Sequence, residues 1–476
     1  MSFETLDYSE LIQKLTKLAQ NNDPIDTSLY QKYDVKRGLR YADGRGVLVG
    51  LTHIGDVVGY EMDAQGNKVA VPGRLIYRGY SVEDIVHDAQ KNHQFGYEQC
   101  VYLLLFGELP TQQQLDEFTY VLGALRTLPP NFTEDMIMKA PSSDIMNKIA
   151  RGVLASYSYD NDPENRDVQN VMRQCVELIS RFGTLAAYGY QAKRRYYDGK
   201  SMYIHNPDPS LSTSENFLRL IRADKSYTRL EAEILDLALI LHAEHGGGNN
   251  SSLTIHVVSS ADTDTYSAVA AAVGSLKGRR HGGANIRVME MMDEIKSNVK
   301  DWSDEKEIAE YLRKILRKEA FDRTGLIYGQ GHAVYTISDP RTTLLKAKAT
   351  ELAKEKGCEE ELNLYNIIER IAPDVIYEKL GDRKRICANV DFYSGFVYSM
   401  LRIPRELFTP LFAIARIAGW SAHRIEEIVA GGRIYRPAYK NVLEERSYVP
   451  IMERVQTPLG PDKIQDDDGR TAGPSD

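Results

Sequence analysis

The stretch that most limits how this chain can fold runs from Thr263 to Leu276. It is rich in alanine and has no charged residue after Asp264. A helix that is apolar all round has no face to give to water, so other elements must enclose it. The expectation is therefore a multi-helical body with this segment inside, and the rest of the sequence supplies the helices. Helical spacing of apolar residues runs through 97–106, 111–122, 142–156, 165–193, 217–222 and 228–242. It resumes at 284–299, 305–318, 342–356, 362–371, 391–400, 407–418 and 422–430, with Pro373-Asp374 read as the start of a separate helix. No helix is assigned between Gly246 and Asp262. Neither βαβ alternation nor a fixed-period repeat is present.

One region departs from this pattern. Val47 to Leu51, Val57 to Tyr60 and Arg74 to Tyr77 are short and rich in β-branched residues, with turns at Gly55-Asp56 and Asp63 to Asn67. They read as a small antiparallel sheet. Ser81 then caps a helix whose first turn holds Glu83 and Asp84, where negative charge suits the helix dipole. The fold class is mainly α with a small N-terminal antiparallel β element. At 476 residues the chain exceeds one simple core, so two domains are expected. Residues 9–20 place Leu11, Ile12, Leu15 and Leu18 at helical spacing in an N-terminal arm, 1–36, and the polar segment 456–476 reads as a disordered tail.

Charge and cysteine usage narrow the function. A net charge of -8 argues against a general nucleic-acid binder but not against an anionic substrate held by local arginines. No apolar run approaches the ~20 residues that span a bilayer. Four cysteines lie far apart, without metal-ligand spacing, and read as reduced thiols. With no targeting segment recognised, a cytoplasmic protein is expected.

Several polar residues stand out, each with an ordinary reading beside the chemical one. His281 sits in Arg279-Arg280-His281-Gly282-Gly283, just before the helix at 284. The positive end of that helix disfavours a second ring proton, and a neutral imidazole can donate to a developing enolate oxygen. The ordinary reading is a satisfied loop histidine. His332 lies between Gly331 and a turn leading to Asp339-Pro340-Arg341, where Arg341 is either an anion clamp or half of a helix-end salt bridge. Asp391, two residues after Asn389, is either a cap or a general base. His242-Ala243-Glu244-His245 opens a glycine-rich loop and offers a ligand-binding His245, a purely structural pair or a metal pair. Arg416, inside an apolar helix, needs an anionic partner, either a ligand or a neighbouring carboxylate. Arg436 follows Gly431-Gly432 in a basic loop.

Taken in order, HAEH-GGGN, SLKG-x-x-HGGAN, GxGHAVY-x₃-DPR, NVDFYSG, FAIARIAGW and RIYRP resemble the citrate synthase family over nearly the whole chain. The resemblance implies a two-domain helical fold, with 37–283 and 403–455 forming a large domain and 284–402 a small mobile one, in a homodimer. It implies a Claisen-type condensation of acetyl-CoA with oxaloacetate and hydrolysis of the citryl thioester. The alternative within the family is 2-methylcitrate synthase acting on propionyl-CoA. His281, His332 and Asp391 would be the catalytic set. His245, Arg341, Arg416 and Arg436 would bind oxaloacetate, Arg436 reaching in from the other subunit. Arg279, Arg280, Gly329, Gly331 and Asn389 would contact CoA; Arg279-Arg280 replaces a proline common in the family. No metal and no cofactor is implied, since the CoA thioester is a substrate. From other classes, a metal-dependent hydrolase on His242 and His245 and a noncatalytic CoA- or dicarboxylate-binding paralogue are the rivals.

Overall fold

A computed structural model describes residues 9–381 and 386–454. The expected disordered tail, 456–476, lies outside the described residues. The described residues divide into a terminal unit, formed by 9–49 and 436–454, and a central unit that lies within 50–435.

In the terminal unit, α1 (Ser9–Asn22) matches the helical spacing of the arm, and α2 (Ser28–Lys32) comes next. Leu11, Ile12, Leu15 and Leu18 are all exposed. Val47 to Val49 are not a strand, nor are Gly50 and Leu51 at the start of the central unit. Leu48 and Leu51 are almost fully exposed, and β-branched composition without a pairing strand does not make a sheet.

The central unit opens with β1 (Gly55–Met62), β2 (Lys68–Tyr77) and β3 (Tyr80–Ser81), a three-stranded antiparallel sheet in that order. Gly55 pairs with Tyr77 and Met62 with Lys68, so Gly55-Asp56 begins a strand instead of forming a turn. The turn at 63–67 is as expected: Asp63 Oδ1 accepts from the backbone N–H groups of Gln65 and Asn67. The Gly73 N–H donates to Ser338 Oγ, which ties the sheet to the loop beyond His332.

Helices make up most of the remaining chain: α3 (Val82–Lys91), α4 (Tyr97–Phe106), α5 (Gln112–Ala124), α6 (Ile145–Ser156), α7 (Val168–Tyr196), α8 (Thr213–Ile221) and α9 (Arg229–His242). Then come α10 (Asn250–Ser259), α11 (Thr265–Lys277), α12 (Ala284–Asn298), α13 (Glu305–Leu316), α14 (Pro340–Lys356), α15 (Glu359–Leu380), α16 (Val390–Met400) and α17 (Phe408–Ala430). Ser81 caps α3 as expected, its side chain accepting from the Glu83 N–H.

The enclosed helix is α17, not α11. On α11, Ala268, Val269, Ala272, Val273 and Leu276 are buried, but Gly274 is exposed and Ser267, Ala270 and Ala271 are only half-buried. Small side chains let that face stay open without a large apolar cost. By contrast α17 is buried from Phe408 to Ile425 apart from Phe412, packed against α4, α7, α9, α10 and α11. It also runs through Gly419, where a break was expected. A Cβ at Gly419 would run into the Ala243 carbonyl and Glu244 Oε2, so the glycine serves close packing there, not a turn. Similarly α15 continues through Pro373, because Tyr365, Ile368, Ala372 and Val375 form one buried face across it. Tertiary packing of that face outweighs the local cost of the proline. Two helices were not expected, the five-residue α2 and α10. All four cysteines are unpaired. No helix among the described residues is long and apolar enough to cross a membrane.

Candidate active site

Three segments converge near the middle of α17. The first is the turn before α12. Tucked under it, the His281 N–H donates to the Gly278 carbonyl, and the His281 ring lies with Nε2 3.0 Å from Ser251 Oγ. Trp420 Nε1–H, which can only donate, also points at Ser251 Oγ at 3.0 Å. The Ser251 hydroxyl hydrogen is therefore free to go to His281 Nε2 or to Asn249 Oδ1, 3.0 Å away. Asn249 Oδ1 also accepts from Arg416 Nη1 at 3.2 Å; when the hydroxyl turns from Asn249 to His281, the ring hydrogen is left on Nδ1. Burial and then the Arg416 charge push His281 down to about 4, so the ring is neutral. Its place before the helix start is as expected, but burial and Arg416 set its charge state.

The second segment carries His332. Gly329 and Gly331 both have φ near +80° to +90°, which glycine adopts without strain. Their turn is fastened to residues 387–389: the Gly331 N–H donates to the Cys387 carbonyl, the Asn389 N–H to the Gly329 carbonyl, and Asn389 Nδ2 to the Gly331 carbonyl at 2.8 Å. His332 Nδ1 accepts from the N–H groups of Val334 and Tyr335, each at 3.1 Å. Two backbone donors on Nδ1 leave the ring hydrogen of the neutral form on Nε2. That Nε2 lies 3.2 Å from His245 Nε2. His245 then accepts, and its own hydrogen sits on Nδ1, which has no hydrogen-bond partner among the described residues. Burial first, then the charges of Arg341, His332, Arg416 and His281, hold His245 well below its usual value. The ring of Tyr335 stacks on His332 at 4.7 Å.

Asp339 caps α14 and binds Arg341 twice, Nε to Oδ1 at 3.0 Å and Nη2 to Oδ2 at 2.7 Å. The helix-end salt bridge thus exists, and Arg341 is still part of the cluster. Burial works against the Arg341 charge, but Asp339 holds its pKa above the ordinary value.

The third segment is the start of α16. Its cap is Asn389, whose Oδ1 accepts from the Asp391 N–H. Asp391 is therefore not the cap. Its carboxylate has no hydrogen-bond partner among the described residues and reaches about 6, raised by burial against the opposing charge of Arg341. Such a carboxylate is a competent base near neutral pH.

Arg416 completes the group from α17 and is fully buried. Its Nε donates to the His242 carbonyl at 2.8 Å, Nη1 to Asn249, and Nη2 to nothing among the described residues. Burial lowers it to about 10. No carboxylate among the described residues forms an ion pair with it. His242 stacks on Phe412 at 4.3 Å, and the reading of His242 and His245 as a metal pair finds no third ligand among the described residues.

Not every expected residue joins the cluster. Arg279 and Arg280 are exposed on the loop before His281. Arg436 falls in the terminal unit and is exposed. Gly329, Gly331 and Asn389 make the backbone latch described above. Sequence reasoning missed Asn249, Ser251, Trp420 and Tyr335. Asn249 and Ser251 belong to the start of α10, in a polar run that reads as loop.

A family model described as citrate synthase, C-terminal domain, matches residues 39–438. A citrate synthase of Haloferax volcanii is 34% identical over 388 residues, covering 80% of this chain and 93% of the relative. A 2-methylcitrate synthase of Corynebacterium glutamicum is 33% identical over 387 residues, covering 80% and 92%. Among solved structures, citrate synthase from Pyrobaculum aerophilum aligns with a TM-score of 0.69 at 27% identity, covering 86% of this chain and 94% of that one. Citrate synthase from Thermoplasma acidophilum, in a ternary complex with carboxymethyl coenzyme A and oxaloacetate, aligns with a TM-score of 0.68 at 26% identity, covering 86% and 97%.

Proposed function

The chain belongs to the citrate synthase family and is an acyltransferase of the citrate (Si)-synthase type, and on that basis we propose that it condenses acetyl-CoA with oxaloacetate and hydrolyses the citryl thioester to citrate and CoA. The observation that carries the reading is Arg416: a fully buried guanidinium whose Nη2 has no hydrogen-bond partner and which has no ion-paired carboxylate among the described residues, within electrostatic reach of His245 and His281. An unpaired buried charge is costly, and an anionic substrate would supply its partner.

Each residue then has a task. Asp391 takes a proton from the carbon next to the thioester carbonyl. His281 donates Nδ1–H to the carbonyl oxygen as negative charge builds there, with Ser251 fixing the tautomer through Nε2. Base and donor act together because a thioester methyl is a weak acid. The resulting carbon nucleophile attacks the ketone of oxaloacetate, whose oxygen takes the Nε2–H of His332. His245, Arg341 and Arg416 hold the substrate, and water then cleaves the thioester. The small domain, 284–402, closes on the large one to exclude solvent. A second copy of the chain supplies Arg436; the half-open small-residue face of α11 and the exposed apolar residues of α1 support a homodimer. Arg279, Arg280, Gly329, Gly331 and Asn389 line the CoA side.

Relatives named for citrate and for 2-methylcitrate match to nearly the same extent, so propionyl-CoA is the second reading. The test is CoA release in the presence of oxaloacetate, with kcat/KM compared for the two thioesters. One methylene is worth ~1–3 kcal/mol of discrimination, which this ratio resolves. Acetyl-CoA should be the better substrate. A higher value for propionyl-CoA would replace the first reading with the second, and release from neither would reject both.

A further inference from the structure

Behind the Arg416 side of the cluster runs a buried chain of ionisable groups that the reaction does not use. Glu427 Oε2 lies 2.8 Å from His256 Nδ1, His256 Nε2 lies 3.0 Å from His423 Nδ1, and His423 Nε2 lies 3.0 Å from Glu244 Oε1. His423 and Glu244 are fully buried. The carboxylates fix the protons. As acceptors, Glu427 and Glu244 require hydrogen on His256 Nδ1 and on His423 Nε2. The two remaining nitrogens then face each other at 3.0 Å. Bare lone pairs at that separation repel, whereas one proton between them makes a hydrogen bond. His423 is the better place for that proton, because Glu244 lies 3.0 Å from its Nε2 and Glu426 lies 3.7 Å from its Nδ1. Burial works against the imidazolium, but those carboxylates hold His423 at about 9.

Glu244 matters because of where its other oxygen lies. Glu244 Oε2 has no close hydrogen-bond partner among the described residues, with only the His245 N–H helping to hold the carboxylate ionised, and it packs against Gly419, less than one helical turn beyond Arg416 on α17. Arg416 Nη2 also has no hydrogen-bond partner among the described residues, and the Glu244 charge acts on Arg416. Two opposite charges thus sit on neighbouring elements without forming an ion pair. We propose that His423 is a positioning residue for the keto-acid site: as the counter-ion of Glu244, it keeps that carboxylate from capturing Arg416 and leaves Nη2 for a carboxylate of the substrate. This rests on the reading of Arg416 as a substrate ligand.

The groups facing His423 are Glu244 from the segment after α9, His256 from α10, and Glu426 from its own helix; Gly247 lies beside its Cε1. Glu427 acts through His256, and Glu426 is engaged by the His53 N–H. With His423 protonated below about 9, the counter-ion is present at neutral pH and is lost as pH rises through that value. The KM for oxaloacetate in the unaltered protein should therefore climb above that pH.

Steady-state kinetics of three variants near neutral pH test the proposal. His423→Gln should raise the KM for oxaloacetate about tenfold, the equivalent of about 1.4 kcal/mol, with kcat held within about threefold. Glu244→Gln, which removes the competing charge, should not raise it, and the double variant should recover the low KM. A merely structural role would make Glu244→Gln as harmful as His423→Gln and the double variant no better. The proposal is overturned if His423→Gln leaves KM unchanged, or if Glu244→Gln raises it equally. It is also overturned by one metal ion per purified chain lost on His256→Gln, because His256, His423 and Glu426 offer ligand atoms within 4.8 Å of one another and a metal would replace the bridging proton. If His423→Gln does not fold, Glu244→Gln and the high-pH rise in KM decide. Absence of oxaloacetate-dependent CoA release in the unaltered protein would instead reject the functional reading itself.

Discussion

Arg341 and Arg416 are both buried arginines in one cluster, and the fold holds them in opposite ways. Arg341 is locked to Asp339 by two hydrogen bonds on the cap of α14, and that carboxylate favours its charge against burial. Arg416 donates only to a carbonyl and an amide oxygen, keeps Nη2 free, and loses pKa to burial. The neighbours they influence differ as well. Arg341 opposes the burial of Asp391 and so tunes the base, while Arg416 helps keep His281 neutral. The comparison separates a substrate-binding arginine that the frame fixes through a carboxylate from one that meets no carboxylate among the described residues and waits for an anion.

The largest effect should come from the group that neither arginine replaces. Asp391→Asn should lower kcat by about 10²–10⁴-fold, the usual contribution of a general base, with little change in oxaloacetate binding. Near-normal turnover would remove Asp391 from the mechanism. The same carboxylate sets the acid side of the pH profile: it acts as a base when ionised, so kcat/KM for the thioester should fall as pH drops through about 6. Next in size, Arg341→Met should destabilise the fold by about 3–5 kcal/mol in urea unfolding, because Asp339 would keep a buried charge without its partner. It should also move the acid limb upward, since the charge that lowers Asp391 is gone. An unshifted limb would break the contrast between the arginines. The smallest effect belongs to Ser251→Ala, which frees the His281 tautomer. A fall in kcat of about tenfold, or ~1.4 kcal/mol, is expected, with KM for oxaloacetate unchanged.

Much of this arrangement was legible in the sequence. The two histidine turns and the DPR segment stand out because glycine and proline punctuate the chain around them, whereas Asp391 is singled out from a helix cap only by the family resemblance. The cap at Ser81 and the run of amphipathic helices were equally readable. What failed was local reasoning about continuity. Gly419 and Pro373 both look like breaks, and both lie inside helices whose buried faces run straight through them. The start of α10 failed for a related reason. Asn249 occupies the cap position but gives its side chain to Arg416 and Ser251, so a polar run that reads as loop holds the site together from a helix start. Partnerships between residues far apart in the chain, such as Trp420 with Ser251 and His423 with Glu244, leave no periodic trace. The choice between the two readings of each arginine also depended on what stood beside it in space.

The most direct test is calorimetric titration of oxaloacetate into the unaltered protein and into Arg416→Met. The variant should lose about a hundredfold in affinity, ~2.7 kcal/mol, while unfolding at the same temperature or higher, because an unpaired buried charge has been removed. Affinity within about threefold of the unaltered protein would contradict the assignment of Arg416 as the waiting anion ligand.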